Sequence, residues 1–579
     1  MSLAADTGSA ATGRRILSEP LFVLAVATAV LPLILSLPIS VPIGPMYWDL
    51  FIYFDAANRI YDGQVPINDF FAPVGPLGYY LFAGGLKLFP GAQPLLLASW
   101  SLLVVTAPLM AIVLWEVGKR SRAAAFGLLV PFLIFALLPF NTREFYPFPG
   151  SNGFGIYNRQ ACQLLYVLSA ALVFMRGQRL LALVVAAAML ALFLTKITGF
   201  VAAFVLCLFA FAAGRIAFRH AAAAAAVFFA ALAALELLAG QIVSHYFSDI
   251  LALVALNDGM LASRFAQAAS QTFGVLAPAG LLMLLLLWQD RTGMARDLGS
   301  VLRRPAPASV AALVDHDWLW LGALLFCGIL FETQNTGSQG MILVWPVLLR
   351  IVMKAPLKLR SPRVLFAALG LAGAAALPVA VNVMDQAARA YVGALKNVPL
   401  EHRNLKTLGA VSMRDTVRLR AERMMEFYPG HEAAYADFLA IGELPTPVLY
   451  SDYDFQITHL MAIDRAIDSI RALERERGIR FETMMTIAFV NTFPYLMDRR
   501  APKHIAIGAD PTRAVPEPSS AEAAAIRDVD IALYPRCPAD MGAKLLLDLY
   551  QSSLADHRRI RLDDCYDAFV HPRLAARLP

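Results

Sequence analysis

Charge is what this sequence has least of. Asp, Glu, Lys and Arg make up 16% of its 579 residues, against about 25% in a soluble globular chain. With a hydrophobic share of 58% and a mean hydropathy of +0.59, that shortage excludes a soluble globule and predicts a polytopic membrane protein. Cysteine is scarce too, at five residues. Cys162, Cys207 and Cys327 fall in apolar stretches and are expected as small core residues, and no spacing makes a zinc site. Cys537 and Cys565 lie in the polar C-terminal part and are disulfide candidates if that part meets an oxidising compartment. A P-loop, a dinucleotide fingerprint, HExxH and a nucleophile elbow are all missing from any fitting context, which argues against soluble nucleotide chemistry. The first apolar stretch, about Pro20 to Val41, lacks a small-residue cleavage site, so it is expected to stay as a span. The net charge of +6 requires no nucleic acid, because Lys and Arg collect in the cytoplasmic loops of membrane proteins.

What the chain does have is a stretch of unusual character, Met46 to Pro90. It mixes Asp49, Asp55, Asp62 and Asp69 with aromatics and then Pro73, Gly75 and Pro76. It is too polar to cross a bilayer and too apolar for an ordinary soluble loop. It is expected to lie on a membrane surface, with its GPLGYYLFAGGLKLF piece as a juxtamembrane helix. Ten further spans follow: about Leu95–Val117, Ala123–Phe140, Gln160–Phe174, Leu180–Leu194, Gly199–Ala213, Ala221–Val243 and Gly274–Trp288, one ending near Phe331, then about Met341–Met353 and Leu365–Val383. Arg14 and Arg15 before the first span put the N-terminus inside, and about eleven spans leave every strongly basic loop on that side.

The odd count places residues 385–579 outside with the Asp49 loop. Residues 1–18 are expected to be a disordered cytoplasmic tail, 19–384 the membrane domain with 42–93 as its first outer loop, and 385–579 a soluble α/β domain. Its strand candidates are PVLYSDYD, MMTIAFVN, KHIAIGAD and VDIALYP, alternating with amphipathic helices such as His459 to Gly478.

Several residues carry chemistry. Asp49, in WDLFIYF, is a candidate general base in a half-dry, aromatic-walled cleft; the alternative is a helix N-terminal acid that complements the macrodipole. Asp55 and Asp62 are expected to face water. Asp69 is a candidate for orienting the substrate or the base, or equally a turn cap. Arg143 is a candidate phosphate contact, or an interfacial snorkel. Glu144 pairs with it or joins Asp49 around a divalent metal, for which no second ligand is evident. Lys196, in LFLTKITGF, is an ionisable residue where two spans meet, and a candidate holder of an anionic lipid phosphate, or a snorkelling side chain. Gln339, in FETQNTGSQG, is a candidate for flooring a sugar or phosphate site, or part of an ordinary loop. Glu236, deep in the seventh span, has no assigned role. An outer site has no ready supply of nucleotide sugar, so a lipid-linked donor suits it better.

The chain resembles the GT-C superfamily of integral membrane glycosyltransferases. The likeness lies in one span followed by an outer loop with an acid, Asp49, then Tyr53, Ala56, Ala57 and Gly63. DFFAPVGPLGYYLFA follows at Asp69 to Ala83, then LTK at Leu194 to Lys196 and Trp345-Pro346 in a late span. The resemblance implies a GT-C-like helical membrane fold with a C-terminal extracytoplasmic domain, in a bacterial inner membrane. It implies inverting transfer of a single sugar from a polyprenyl-phosphate donor to a glycan, lipid or protein acceptor, with Asp49 as catalytic acid/base and Arg143 and Lys196 on the donor phosphate. Leu50 stands where some branches carry a second acid, and no metal-binding acid and His set is evident. The rival readings are a transporter or lipid flippase, a glycan ligase or polymerase, and a non-catalytic scaffold.

Overall fold

The computed structural model describes residues 19–143, 149–256, 259–335, 337–359, 361–444, 453–512, 515 and 517–578. The expected N-terminal tail and Glu144 lie outside these residues. Each of the eleven predicted spans coincides with a helix. Four continuous helices are long and apolar enough to cross a bilayer: Gln178–Thr195, Phe218–Leu238, Phe273–Arg303 and Pro362–Lys396. Two bent pairs raise that number to six: Pro94–Ser101 with Leu103–Gly118, bent by 41°, and Pro307–Val314 with Asp317–Glu332, bent by 74°. Others are apolar but short. Pro20–Leu35, Arg122–Leu137 and Ile197–Ala212 have 16 residues each. At 1.5 Å per residue such a helix is about 24 Å long, less than a hydrocarbon core of about 30 Å. Length and apolar character therefore establish fewer spans than the eleven expected.

The stretch after the first apolar helix departs from the surface loop expected of it. It forms helix Asp49–Tyr61 and, as predicted, a helix at Leu77–Leu88. From Asp49 to Arg59 the first of these is buried along its whole circumference, because the C-terminal segment closes over it. The Asn58 amide donates to the Arg499 carbonyl at 3.0 Å, the Gln64 amide to Ala501 at 2.8 Å and Arg59 Nη1 to Pro502 at 2.6 Å. Asp55 does not face water; it is 2% exposed and pairs with Arg59 at 2.9 Å. A buried carboxylate one helical turn from a buried guanidinium is the arrangement that makes both tolerable. Asp62, at the helix end, is exposed.

Two small sheets complete the fold. In the first, β1 (Val41–Pro42) runs parallel to β3 (Val411–Met413), which pairs antiparallel with β2 (Val398–Pro399). It ties the end of the first apolar helix to the segment beyond the last. The second sheet has the order β4 (Met484–Thr486), β5 (Ile531–Pro535), β7 (Tyr566–Val570), β6 (Arg558–Arg561). Of the four predicted strands, MMTIAFVN contains β4 and VDIALYP contains β5. KHIAIGAD is not a strand: its backbone reaches the stretch before helix Leu77–Leu88 instead, His504 N–H donating to the Asp69 carbonyl at 2.6 Å and Ile507 N–H to Phe71 at 3.1 Å. PVLYSDYD falls mostly outside the described residues and runs into helix Tyr453–Arg477, which contains most of the predicted amphipathic stretch. The Cys537–Cys565 disulfide, Cα atoms 4.7 Å apart, joins the ends of the β5 and β7 neighbourhoods.

Glu236 does not lie deep within its helix. It sits near the end of helix Phe218–Leu238 and accepts from the backbone N–H groups of Val243 and Ser244, capping helix Ile242–Leu256. An N-terminal turn has free N–H groups and a positive dipole end, and a carboxylate supplies both needs.

Candidate functional site

Asp49 is the first residue of its helix, 8% exposed. Its Oδ2 accepts the Gly155 N–H at 3.1 Å, which leaves Oδ1 to take a proton. Gly155 stands at the head of helix Ile156–Phe174 with φ of +68°. A side chain there would be strained, and its Cβ would collide with the Gly337 carbonyl. Burial pushes the Asp49 carboxyl up to about 6; the Gly155 N–H and the charges of Arg159 and Lys196 pull the other way without cancelling it. An acid poised near neutrality, with one oxygen fixed and one open, is equipped as a general base.

Lys196 links helices Gln178–Thr195 and Ile197–Ala212 in extended backbone. Its ammonium donates to the side-chain oxygens of Asn158 and Asn335 and lies 5.1 Å from the centre of the Tyr157 ring. Two of three N–H donors are thereby committed to neutral amides, and the third suits an anionic oxygen. The PVGP turn before helix Leu77–Leu88 closes on the same point, with Gly75 N–H donating to the Thr195 carbonyl at 3.2 Å. A Cβ on Gly75 would strike the Leu194 carbonyl. The two motifs are thus in contact although more than a hundred residues apart in sequence.

The segment after helix Asp317–Glu332 forms the opposite wall. The Asn158 amide donates to the Gly337 carbonyl at 2.6 Å and Thr142 N–H to the Ser338 carbonyl at 2.9 Å. A cleft opens there, and Arg143, Glu332, Asn335 and Gly340 are among its lining residues. Arg143 therefore stands on the same wall as the Lys196 anchor Asn335. Gln339 is fully buried; its amide donates to the Phe135 carbonyl at 2.6 Å and to Phe140 at 3.3 Å, so it closes the end of helix Arg122–Leu137. Asp69 belongs to another group. It accepts Val65 N–H at 2.8 Å and pairs with Lys503 at 2.9 Å, a turn cap that reaches the C-terminal segment. Among the described residues, no set of three or more His, Cys, Asp or Glu side chains could hold a metal ion.

Sequence reasoning passed over Arg159. It is 2% exposed and donates to Asn141 Oδ1 at 3.0 Å and to the Phe154 carbonyl at 2.7 Å, fixing the turn that carries Gly155. Asn158, Arg159 and Gln160 are consecutive polar residues at the head of an apolar helix. Ionisable residues in such segments mark function or its support, and that signal was available.

No protein-family model matches the chain, and no curated protein matches it. Among solved structures it is similar to ArnT from Cupriavidus metallidurans in the apo state, with 14% identity over 97% of this chain and 98% of that one and a TM-score of 0.37. It is also similar to the same protein bound to undecaprenyl phosphate, with 14% identity over 96% of this chain and 98% of that one and a TM-score of 0.39. At those scores neither fold nor activity follows from the likeness.

Proposed function

We propose that the chain is a membrane glycosyltransferase that moves a single sugar from a polyprenyl-phosphate donor to a cell-envelope acceptor on the outer face of a bacterial inner membrane. The observation that carries this reading is a buried carboxylate with one open oxygen, electrostatically coupled to a lysine held by two neutral amides. In this reading Asp49 takes the proton of the acceptor hydroxyl as its oxygen attacks the anomeric carbon. The bond from that carbon to the phosphate oxygen breaks as the new glycosidic bond forms. Lys196 and Arg143 meet the charge that develops on the departing phosphate. Direct displacement without a covalent intermediate inverts the anomeric centre. Arg159 acts on Asp49 only through the Asn152–Gly155 turn and its charge. Asp69 and Gln339 support the site's frame.

The test is binding and turnover together. Purified protein should bind polyprenyl phosphate, and Lys196→Met should weaken that binding about tenfold or more, as expected for loss of a charge-assisted contact. Asp49→Asn should leave lipid binding intact while transfer falls about a hundredfold or more. Lipid binding insensitive to Lys196→Met would remove the phosphate role. A transporter or flippase would instead tolerate Asp49→Asn with no loss of a glycosylated product.

A further inference from the structure

Three helices join the neighbourhood of Lys196 to a second cluster of charge. Helix Ile197–Ala212 starts next to Lys196, helix Trp345–Lys358 starts where Trp345 meets Phe135, and helix Asp317–Glu332 arrives at Glu332 from the other direction. With 14 to 16 residues each, they put the cluster about 21–24 Å from the site, a distance that spans most of a hydrocarbon core. Trp320, fully buried, forms its floor. The indole N–H donates to Asp315 at 2.7 Å, and the guanidinium carbons of Arg215 and Arg350 lie 5.7 and 5.3 Å from the ring centre. Arg350, Lys354 and Lys358 follow one another at four-residue intervals, so they form one stripe along their helix. All three converge on Asp317, at 2.8, 3.1 and 2.9 Å, while Arg215 holds Asp315 at 2.8 Å.

Four cations thus share two carboxylates. The neighbouring Asp290 and Asp297 are taken by the two ring nitrogens of His316, at 2.5 and 3.1 Å. Arg350 is 4% exposed, and its Nε–H has no acceptor among the described residues. Each lysine ammonium places one of its three N–H donors on Asp317, and both lysines reach the surface, with side chains 41% and 57% exposed. Met353 and Leu357 make the adjacent stripe, and both are exposed, Leu357 by 87%. Orientation of the chain in a membrane requires basic residues at this end but not their convergence on one acid. Cations in excess of their acceptors, beside an exposed apolar stripe, suit a phosphate diester that carries acyl chains.

We propose that this cluster binds the headgroup of an anionic phospholipid on the membrane face opposite Asp49. Lys354 and Lys358 meet the phosphate, and Met353 and Leu357 lie along an acyl chain. Arg350 holds Asp317 and adds to the positive field. Neither Asp49 nor Lys196 enters this site, so lipid binding here is independent of sugar transfer.

The test is native mass spectrometry of the full chain, purified in detergent and stripped of lipid, then titrated with phosphatidylglycerol or phosphatidylcholine. Wild type should retain one phosphatidylglycerol per chain about tenfold more tightly than phosphatidylcholine, and inorganic phosphate should displace it no better than chloride at equal ionic strength. Lys354→Gln with Lys358→Gln should abolish the preference. Lys358→Gln alone, which leaves Asp317 its other two cations, should reduce it severalfold. Arg303→Gln with Arg304→Gln, which removes exposed charge at the end of helix Phe273–Arg303, should keep it. Equal wild-type retention of the two lipids overturns the proposal, as does a preference that survives in both lysine variants. A preference lost equally in the Arg303 and Arg304 variant shows diffuse attraction instead of a site. Displacement by inorganic phosphate at matched ionic strength assigns the cluster to a soluble phosphate and contradicts the lipid.

Discussion

At the scale of single residues, Asp49 is the group whose behaviour can be read in both activity and stability. Its carboxyl, pushed up to about 6 by burial, must be ionised to act as a base. Transfer should therefore fall as pH drops through about 6, with a slope of one proton, in a pH–rate profile. The stability effect has the opposite sense. The folded value lies above the ordinary one of 3.8, so between the two the folded chain holds a proton that the unfolded chain has released. Stability falls as pH rises through that window, by up to about 3 kcal/mol for a shift of roughly two units. Asp49→Asn removes the buried charge, so its melting temperature above pH 7 should equal or exceed that of wild type while transfer is lost. A lower melting temperature, with transfer lost in proportion, would point to a structural acid. Arg59 is the contrasting case. It is fully buried with Asp55 and the Pro502 carbonyl, and Arg59→Ala would leave Asp55 buried without its cation. Such a loss costs about 3–5 kcal/mol, to be checked by denaturant or thermal unfolding in detergent.

At the scale of elements, the helices were legible and the contacts between them were not. Apolar runs bounded by basic clusters marked each predicted span, because hydropathy and the positive-inside bias are local properties of the chain. The stretch Met46 to Pro90 was legible as unusual, yet its burial was not. Asp55 and Arg59 look like a solvated helix pair in sequence, and only the 499–509 segment lying across them makes them interior. In the C-terminal part, VDIALYP announced β5 by its β-branched and aromatic pattern. β6, Arg558–Arg561, is an exposed edge strand made largely of arginine and gives no such pattern, although charge on an edge is a common protection against pairing with other chains. KHIAIGAD has strand composition but spends its backbone on Asp69 and Phe71. In the site, Asp49 and Lys196 stood out as acids and cations in apolar surroundings. Arg159 and Glu332 were visible by the same criterion but were passed over, Glu332 as part of the FETQNTGSQG loop. The Gly155 turn carries the element-scale prediction. Gly155→Ala puts a side chain at positive φ against the Gly337 carbonyl, so the loop and the Asp49 contact must shift. Transfer should fall about tenfold or more, with a smaller change in melting temperature than Arg59→Ala produces.

At the scale of the whole molecule, the C-terminal segment is more than an appended module. One hydrophobic core runs from the apolar helices through helix Asp49–Tyr61 into helix Tyr453–Arg477 and strands β5 and β7. A second, smaller core lies on the sheet's other side, built from Ile526, Leu546 and Tyr550 among others. β1 is paired with β3 across the same boundary. A chain ending at residue 384 would uncover a helix whose Asp55 and Arg59 have no solvent-adapted face. It is expected to aggregate or to be cut rapidly by protease, as size-exclusion chromatography in detergent and limited proteolysis would report. A monodisperse, protease-resistant 1–384 fragment would show the two parts to be independent.

The reading of Asp49 as the base stands or falls on the products made in cells. The direct measurement is mass spectrometry of envelope glycans and lipids from a strain lacking the gene, the same strain restored with wild type, and one restored with Asp49→Asn at equal membrane abundance. The proposal predicts one sugar residue missing from a single species in both the deletion and the Asn strain, and its return with wild type. Equal restoration by wild type and Asn would contradict it.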